Sequence, residues 1–533
     1  MRFAGRCGKR YAIEDENDGP SEKFRLMVPL VWLLPSLHLL TLMTIPAGEQ
    51  LRLRMETPVA SWSSTVGTPI HAVLIAPVFV KGKVALPVGC TLSGRVKSVA
   101  RVGLGIRHER AALQLEFTSL TFPNGGVTVP METRVAEIDN GRERVSDEGV
   151  IQGVRVTGSI CYRVSGYIKM LLLWQVHADF AQWAIKSLVV QLPEPEIDFP
   201  AGTEVTLRLT KQWKGFRPAA ELEQVAGVTD AELIDLKSVV GQMALRTTDG
   251  DSGYPSDLTN VLLVGSRSEV TAAFRAAGWE LAPPLSLQSR IRTIRAASEM
   301  RGYSAPMASL LLNGEDADMS WQKGLNDLSK RHHVRIWKRE QLWKGQELWV
   351  AAATRDVDYA YLRPGRAFSH RVHPRIDETR EKVAYDLAYA SCASPVAWIE
   401  RAGVPRAEKN ASGDSLVTDT RMAVVQLREC AASEQAKYVN RPQALVTHGG
   451  RWHRLLRREI LITRNDLIRG NVYWRLYEAG AWVWTYAQTH REEARATLAG
   501  GPDSSLSNPL KEPARWDAYP RWKAVMLALS ALQ

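Results

Sequence analysis

Histidine, arginine and carboxylate side chains crowd between Lys330 and Arg380. The stretch opens with Lys330-Arg-His-His-Val-Arg-Ile-Trp337 and continues through Glu347-Leu-Trp-Val-Ala-Ala-Ala-Thr-Arg-Asp356. It closes with Ser369-His-Arg-Val-His-Pro-Arg-Ile-Asp-Glu-Thr-Arg380 and holds four of the 11 histidines. On an extended segment His333, Arg335 and Trp337 fall on one face, and His332, Val334 and Ile336 on the other. The second set is typed for a core and the first for a groove. Asp356 ends the next apolar run; His370, His373 and Asp377 follow a loop containing Arg363-Pro-Gly-Arg366.

These residue types suit two kinds of chemistry. His333, Arg335, Asp356, His370, Asp377 and Arg380 together make a candidate anion or ligand site, since arginine pairs with phosphate-like oxygens. His333, His370, His373 and Asp377 are candidate ligands of a divalent metal. No other cofactor is implied, and no metal is required. Plainer roles compete with both. Asp377 is typed as the N-cap of a following helix, Arg380 and Glu381 as surface pairs, and His373 before Pro374 as a loop former. No H-E-x-x-H, G-x-S-x-G, P-loop or D-x-D-x-D run supports a named mechanism, and Gly103-Leu-Gly105 without a following helix reads as a bulge or turn. A binding role therefore leads. A metal-dependent hydrolase of phosphoester-like substrates, using His333, Asp356, His370 and Asp377, is the alternative.

The elements that must position these groups are legible nearby. Val261–Val264 reads as a buried strand. Ser266 with Glu269 three residues on forms a capping box, Val270, Phe274 and Ala277 share a helical face, and Gly278 is placed to end the helix. A second helix is expected over Ser286–Met300. Strands follow at Ser309–Asn313, Met319–Gln322, His332–Lys338 and Leu348–Thr354, then a helix from about Asp377. This order predicts an α+β sheet with helices on one face.

Four of these segments, in this order, resemble the LssY C-terminal domain over residues about 255–390. They are Leu262-Leu-Val-Gly-Ser-Arg267 with Ala273-Phe-Arg-Ala-Ala-Gly-Trp279, then the Lys330, Leu348 and His370 segments quoted above. The resemblance implies a bacterial, envelope-associated protein. Some members carry the domain behind membrane-embedded lipid-phosphatase-like modules. Those modules are not found in this sequence, so their activity does not carry over.

Upstream the texture is that of strands. Alternation and β-branched residues recur in Ile70–Val80, Thr91–Val99 and Ala112–Phe117, with a turn at Pro123-Asn-Gly-Gly126. Ile45-Pro-Ala-Gly48, Leu86-Pro-Val-Gly89 and Phe199-Pro-Ala-Gly202 each lead into a strand through a proline–glycine turn. We expect one β-barrel or sandwich whose first and last strands pair. The stretch resembles the β domains of exported envelope proteins and, distantly, the barrel of secretion-channel proteins of the VirB/TrbI type. Lys169 to Lys186 is read as an amphipathic helix packed on this domain, because its charges oppose a bilayer span.

The chain has 533 residues, enough for two to four domains, and carries a net charge of +11. Basic residues are interleaved with acids, so nucleic acid is an unlikely partner. Lys23-Phe-Arg25 precedes an uncharged apolar run, Leu26–Met43, the pattern of an export signal or anchor. The five cysteines include no C-x-x-C pair, and free buried thiols are expected.

The expected organisation is a polar leader (1–22), a signal peptide or membrane anchor (23–44) and a β-rich domain with one amphipathic helix (45–210). A helical linker (211–253), an LssY-like domain (254–395) and an Arg/Trp-rich extension (396–533) follow. The fold class is α+β multidomain: an N-terminal β-barrel or sandwich, then a mainly antiparallel sheet covered by helices. The expected location is the periplasm, free or anchored to the inner membrane through the N-terminal segment. Envelope proteins or anionic surface components are the expected partners.

Overall fold

The computed structural model describes residues 40–123, 127–159, 193–218, 229–324, 326, 327, 329–363, 366–393, 397–431, 448–469 and 484. The expected leader, the apolar run before residue 40, the amphipathic helix near 169–186, most of the Pro123–Gly126 turn and the aromatic-rich run at 473–483 lie outside these residues.

Alternating apolar residues build the first half. The strands used below are β1 (Leu40–Ile45), β2 (Gln50–Met55), β3 (Pro69–Leu74), β4 (Thr91–Ala100), β5 (Ala112–Thr121), β6 (Thr133–Ile138), β7 (Val150–Gln152), β8 (Glu204–Leu209) and β9 (Trp213–Pro218). Hydrogen bonding runs β6-β8-β2-β3-β4-β5-β7 and on to Arg144–Val145. Thr128–Pro130 pairs with β5 and leads into β6, so the two ends of the sheet approach each other. The Thr133 hydroxyl donates to the carbonyl of Phe117 across that seam at 3.1 Å. The result is a nearly closed barrel. Leu51, Leu53, Leu113, Leu115, Phe117, Val205 and Leu207 point into its core.

The repeated turns explain the register. Gly48, Gly89 and Gly202 have φ of 91°, 89° and 94°, which a residue with a Cβ adopts only with strain. Each donates its amide to a strand crossing the turn: to Leu209, Leu74 and Met55 at 2.9, 2.9 and 2.7 Å. The first strand after the first turn does pair with the last, with Leu51 opposite Leu207 and Leu53 opposite Val205. Ahead of them, β1 pairs with β9. Gly103-Leu-Gly105 is a turn whose amides bind an internal carboxylate. Val102 and Gly103 donate to Glu196 at 2.9 and 2.8 Å.

The second half is built on an eight-stranded sheet. Its elements are α1 (Asp230–Gly241), β10 (Val261–Val264), α2 (Arg267–Ala276), β11 (Glu280–Leu281), α3 (Leu287–Ser298), β12 (Met319–Lys323), β13 (Arg331–Trp343), β14 (Gln346–Arg363), β15 (Arg366–Val372), α4 (Asp377–Tyr389), β16 (Ala397–Glu400) and β17 (Arg421–Gln426). The order is β11-β12-β13-β14-β10-β17-β16, with β15 also on β14. Only β10 and β17 run parallel among these pairs. The sheet thus recruits two strands from beyond residue 395, where the domain was expected to end.

Both faces of this sheet are covered, which corrects the one-face expectation. Val261, Leu263, Val334, Ile336 and Ala351 pack with α2 and α4. Leu262, Val264, Trp337, Val350 and Ala352 pack with Leu236 and Val240 of α1 on the other side. Hence β10 is apolar at all four positions, as a strand buried on both faces must be. The expected capping box is present: Ser266 Oγ accepts from the Glu269 amide, and Glu269 accepts from the Ser266 amide at 2.7 Å. Gly278 follows the helix at φ 82°. Trp337 and Trp349 are fully buried, and their indole N–H groups reach the carbonyls of Glu315 and Gly265 at 3.0 and 2.8 Å.

Two further connections close the molecule. Cys392, at the end of α4, forms a disulfide with Cys430, whereas free thiols were expected there; Cys90 is buried. Beyond it, α5 (Arg451–Arg469) returns to the barrel, where Leu461 enters the core. Arg457 pairs with Glu194 at 2.8 Å. The Arg451–Arg458 run is therefore partly a packing element and not only a surface.

Candidate functional site

Strand pairing brings part of the histidine-rich stretch together. Arg331 lies opposite Asp356, His333 opposite Thr354 and Arg335 opposite Ala352. A register shift between Asp356 and Asp358 precedes the pairing of Tyr359 with His370. Asp356 is then gripped from two strands. His333 Nε2 lies 2.9 Å from one carboxylate oxygen, and Arg331 Nε donates to the other at 3.1 Å. His370 Nδ1 is 3.6 Å away.

Arg335 Nη1 lies 3.4 Å from His333 Nδ1. An arginine only donates, so Nδ1 accepts and the Nε2 proton faces Asp356. The Thr354 hydroxyl is 3.2 Å from the same Nδ1 and 3.3 Å from Asp257. Burial alone would raise the Asp356 pKa. Its interactions with His333 and His370, the hydrogen bond from His333 and the charge of Arg331 outweigh it and hold the carboxylate well below its usual range. Burial lowers His370 to about 4 against the pull of Asp356.

Thr354, His333 and Asp356 have the hydroxyl–imidazole–carboxylate order of a nucleophile, its base and an orienting acid. Access is what they lack: Thr354 is 0 % exposed, Asp356 3 % and His333 5 %. The groove-facing expectation for His333, Arg335 and Trp337 fails because all three are buried: Trp337 packs with α1, and the Ala305–Ala308 segment meets the arginines. Arg335 donates to the carbonyl of Ala308 at 2.9 Å, and Arg331 to that of Ala305 at 3.3 Å.

The other candidates go elsewhere. Asp377 is the first residue of α4, and Ile376 is its N-cap without a side-chain bond. The Asp377 carboxylate instead accepts from the Thr418 hydroxyl and the Asp419 amide, both at 2.7 Å. Arg380, 1 % exposed, pairs with Asp377 at 3.1 Å and with Asp419. It is not the surface residue its type suggests. His373 faces Glu378 at 3.7 Å. The four candidate metal ligands thus fall into three environments. Among the described residues no group of three or more His, Cys, Asp or Glu side chains is placed to hold a metal ion.

A second charged cluster, between the barrel and the sheet domain, went unread in the sequence. Glu204 of β8 accepts from Arg54 of β2 at 2.8 Å and from Lys323 of β12 at 2.9 Å, and it pairs with Lys382 of α4. Asp386 of α4 receives Lys323 at 2.8 Å and the Trp279 indole at 3.1 Å. Asp139, following β6, receives His332 Nε2 at 2.9 Å and Lys382 at 3.1 Å. Arg355 bonds Glu137 on the barrel. Burial opposes charge on Glu204, yet Lys323, Lys382 and Arg54 hold its pKa far below the usual value. Burial lowers His332 to about 4, although Asp139 pulls the other way.

Above this cluster lies a small cleft, open to solvent and lined in part by Arg52, Glu137, Asp139, His332, Arg355 and Lys382. The sequence offered one signal for it. Lys382 and Asp386 sit four apart on α4, one face of a helix, and both are buried.

Comparison with known proteins adds a family. No curated protein matches the chain. Among solved structures, the chain is similar to ComB10 of the Com type IV secretion system of Helicobacter pylori, at 11% identity and a TM-score of 0.18. That similarity covers 32% of this chain and 88% of that one. Residues 239–422 match the family model described as LssY C-terminus. The match starts within α1 and ends within β17, and so takes in β16 and the start of β17 beyond residue 395. Over these residues the chain carries a domain of the LssY C-terminus family.

Proposed function

We propose that the protein is exported to the cell envelope and acts there as a binding or accessory module. In this reading the barrel and the LssY-type domain form one body, and the His333–Asp356 network is structural. The Cys392–Cys430 disulfide carries the proposal, because stable disulfides belong to oxidising compartments and are rare in a reducing cytosol. Strand β1 supports it from the other end. It claims Leu40–Ile45 for pairing with β9, so the uncharged run left for a leader is Leu26–Leu39. That length suits the apolar core of a signal peptide better than a bilayer span. The burial of Thr354, His333 and Asp356 supports a role without chemistry of their own. Nothing among the described residues favours the metal-dependent hydrolase.

The test is thiol accounting in intact cells. Maleimide labelling after denaturation is expected to modify Cys392 and Cys430 only when a reductant is added first. A C-terminal reporter that is active only outside the cytoplasm is expected to be active. Free Cys392 and Cys430 in unreduced cells, with a silent reporter, would end the proposal.

A further inference from the structure

Helix α3 shows large apolar side chains to solvent and buries small ones. Ser289 is 6 % exposed and Ala296 0 %. Leu287 and Ile291, by contrast, are 76 % and 59 % exposed. The segment leading into it adds Leu281 and Leu285, 51 % and 63 % exposed. The helix is fixed in this orientation by its N-cap, since Ser286 Oγ accepts from the Ser289 amide, and by Ala296 packing against Ala305.

Charge decides what this face suits. No acidic residue occurs from Leu281 to Ser298, whereas Arg290, Arg292 and Arg295 are all exposed. Arg295 is paired with Glu299 at 2.8 Å. Arg290 and Arg292 form no ion pair among the described residues. Exposed aliphatic residues one helical turn apart, with unpaired arginines beside them, are the layout of a helix lying in a lipid interface. The apolar side chains enter the acyl boundary and the guanidinium groups meet phosphates.

We propose that the Leu281–Ser298 face docks on an anionic phospholipid surface. The proposal deepens the binding-module reading by naming what is bound, and rests on it only for the membrane encountered. The experiment is sedimentation of the full chain with vesicles of phosphatidylcholine alone, or of phosphatidylcholine mixed with phosphatidylglycerol. Any contribution from the apolar N-terminal segment is common to all variants, so the readout is the difference between the two lipids. Stronger binding to the anionic vesicles, weakened by salt, is expected. Arg290→Ala with Arg292→Ala is expected to lower that binding roughly twenty-five-fold, at about fivefold per arginine near the surface. Leu287→Ser with Ile291→Ser is expected to abolish the preference. All four positions are exposed, so folding is unaffected, and an unchanged melting curve checks this.

Equal binding of the wild type to both lipids, or unchanged binding of both double variants, would overturn the proposal. So would self-association in sedimentation velocity that Leu287→Ser relieves, since a second copy would then cover the face. The outcome is independent of the thiol and reporter assays, so each idea fails on its own.

Discussion

The molecule contains two buried charge networks built in opposite ways. The Asp356 network lies within one domain, and Arg331, His333, Thr354, Asp356 and His370 sit on β13, β14 and β15, which are neighbours in the sheet. The Glu204 network is assembled from β2, β8, β12 and α4, with Asp139 and His332 beside it, and it spans two domains. Backbone ladders hold the first in place whether or not its charges pair. The second has less beneath it. Apart from the charges, the same junction offers Tyr389 packed with Val73 and Ile75, Arg54 stacked 5.1 Å over the Tyr389 ring, and hydrogen bonds such as Asn140 to the Lys323 carbonyl at 3.1 Å. Equal burial therefore does different work: one network stiffens a sheet and the other fixes two domains as a unit.

Glu204→Ala gives the largest effect by this argument. It leaves Arg54, Lys323 and Lys382 buried around an empty position, and breaking a buried pair costs about 3–5 kcal/mol. The expected outcome in calorimetry is a lower melting temperature and a split of one transition into two, as the barrel and the sheet domain unfold separately. Asp356→Asn keeps the shape but removes the charge that His333 and Arg331 face. It is expected to cost less, about 1–3 kcal/mol, and to leave one transition. If Asp356→Asn splits the transition and Glu204→Ala does not, the assignment of the two networks is reversed.

How legible each network was follows from the same geometry. His333 and Asp356 were readable because two strands joined by a tight turn place residues of the chain opposite each other by simple counting. The turn glycines and the Ser266–Glu269 cap were readable because their physics is local. Glu204 follows Gly202-Thr203 at the start of a strand and looks like any polar strand residue. Its partners lie from 119 to 178 positions downstream and at Arg54, 150 positions upstream, and no local pattern links them. The Cys392–Cys430 bond was missed for a related reason: the 38-residue separation carries no motif. Asp377 was misplaced by one residue because α4 starts one position earlier than its sequence type suggests. The covering of both sheet faces was missed because α1 was assigned to a linker.

Acid sharpens the comparison further. His332 sits in the interdomain network and His370 in the sheet network, and burial depresses both from 6.5 to about 4. A depressed histidine binds its proton less well folded than unfolded. Between about pH 6.5 and pH 4 the unfolded chain therefore takes up more protons, and stability falls as pH falls. The loss between pH 7 and pH 5 is about 2 kcal/mol for His332, whose side chain is 4% exposed, by proton linkage. It is smaller for His370, whose side chain is 20% exposed and better screened. The carboxylates of Asp139, Glu204 and Asp356 are depressed as well, so their contribution is intact in this window and is lost only at lower pH. Urea unfolding of the wild type, His332→Gln and His370→Gln at the two pH values measures each share. His332→Gln is expected to flatten the pH dependence most, and any splitting of the transition at pH 5 is expected to vanish with it. A wild-type stability that is unchanged from pH 7 to pH 5 would mean that neither imidazole is held neutral by its surroundings.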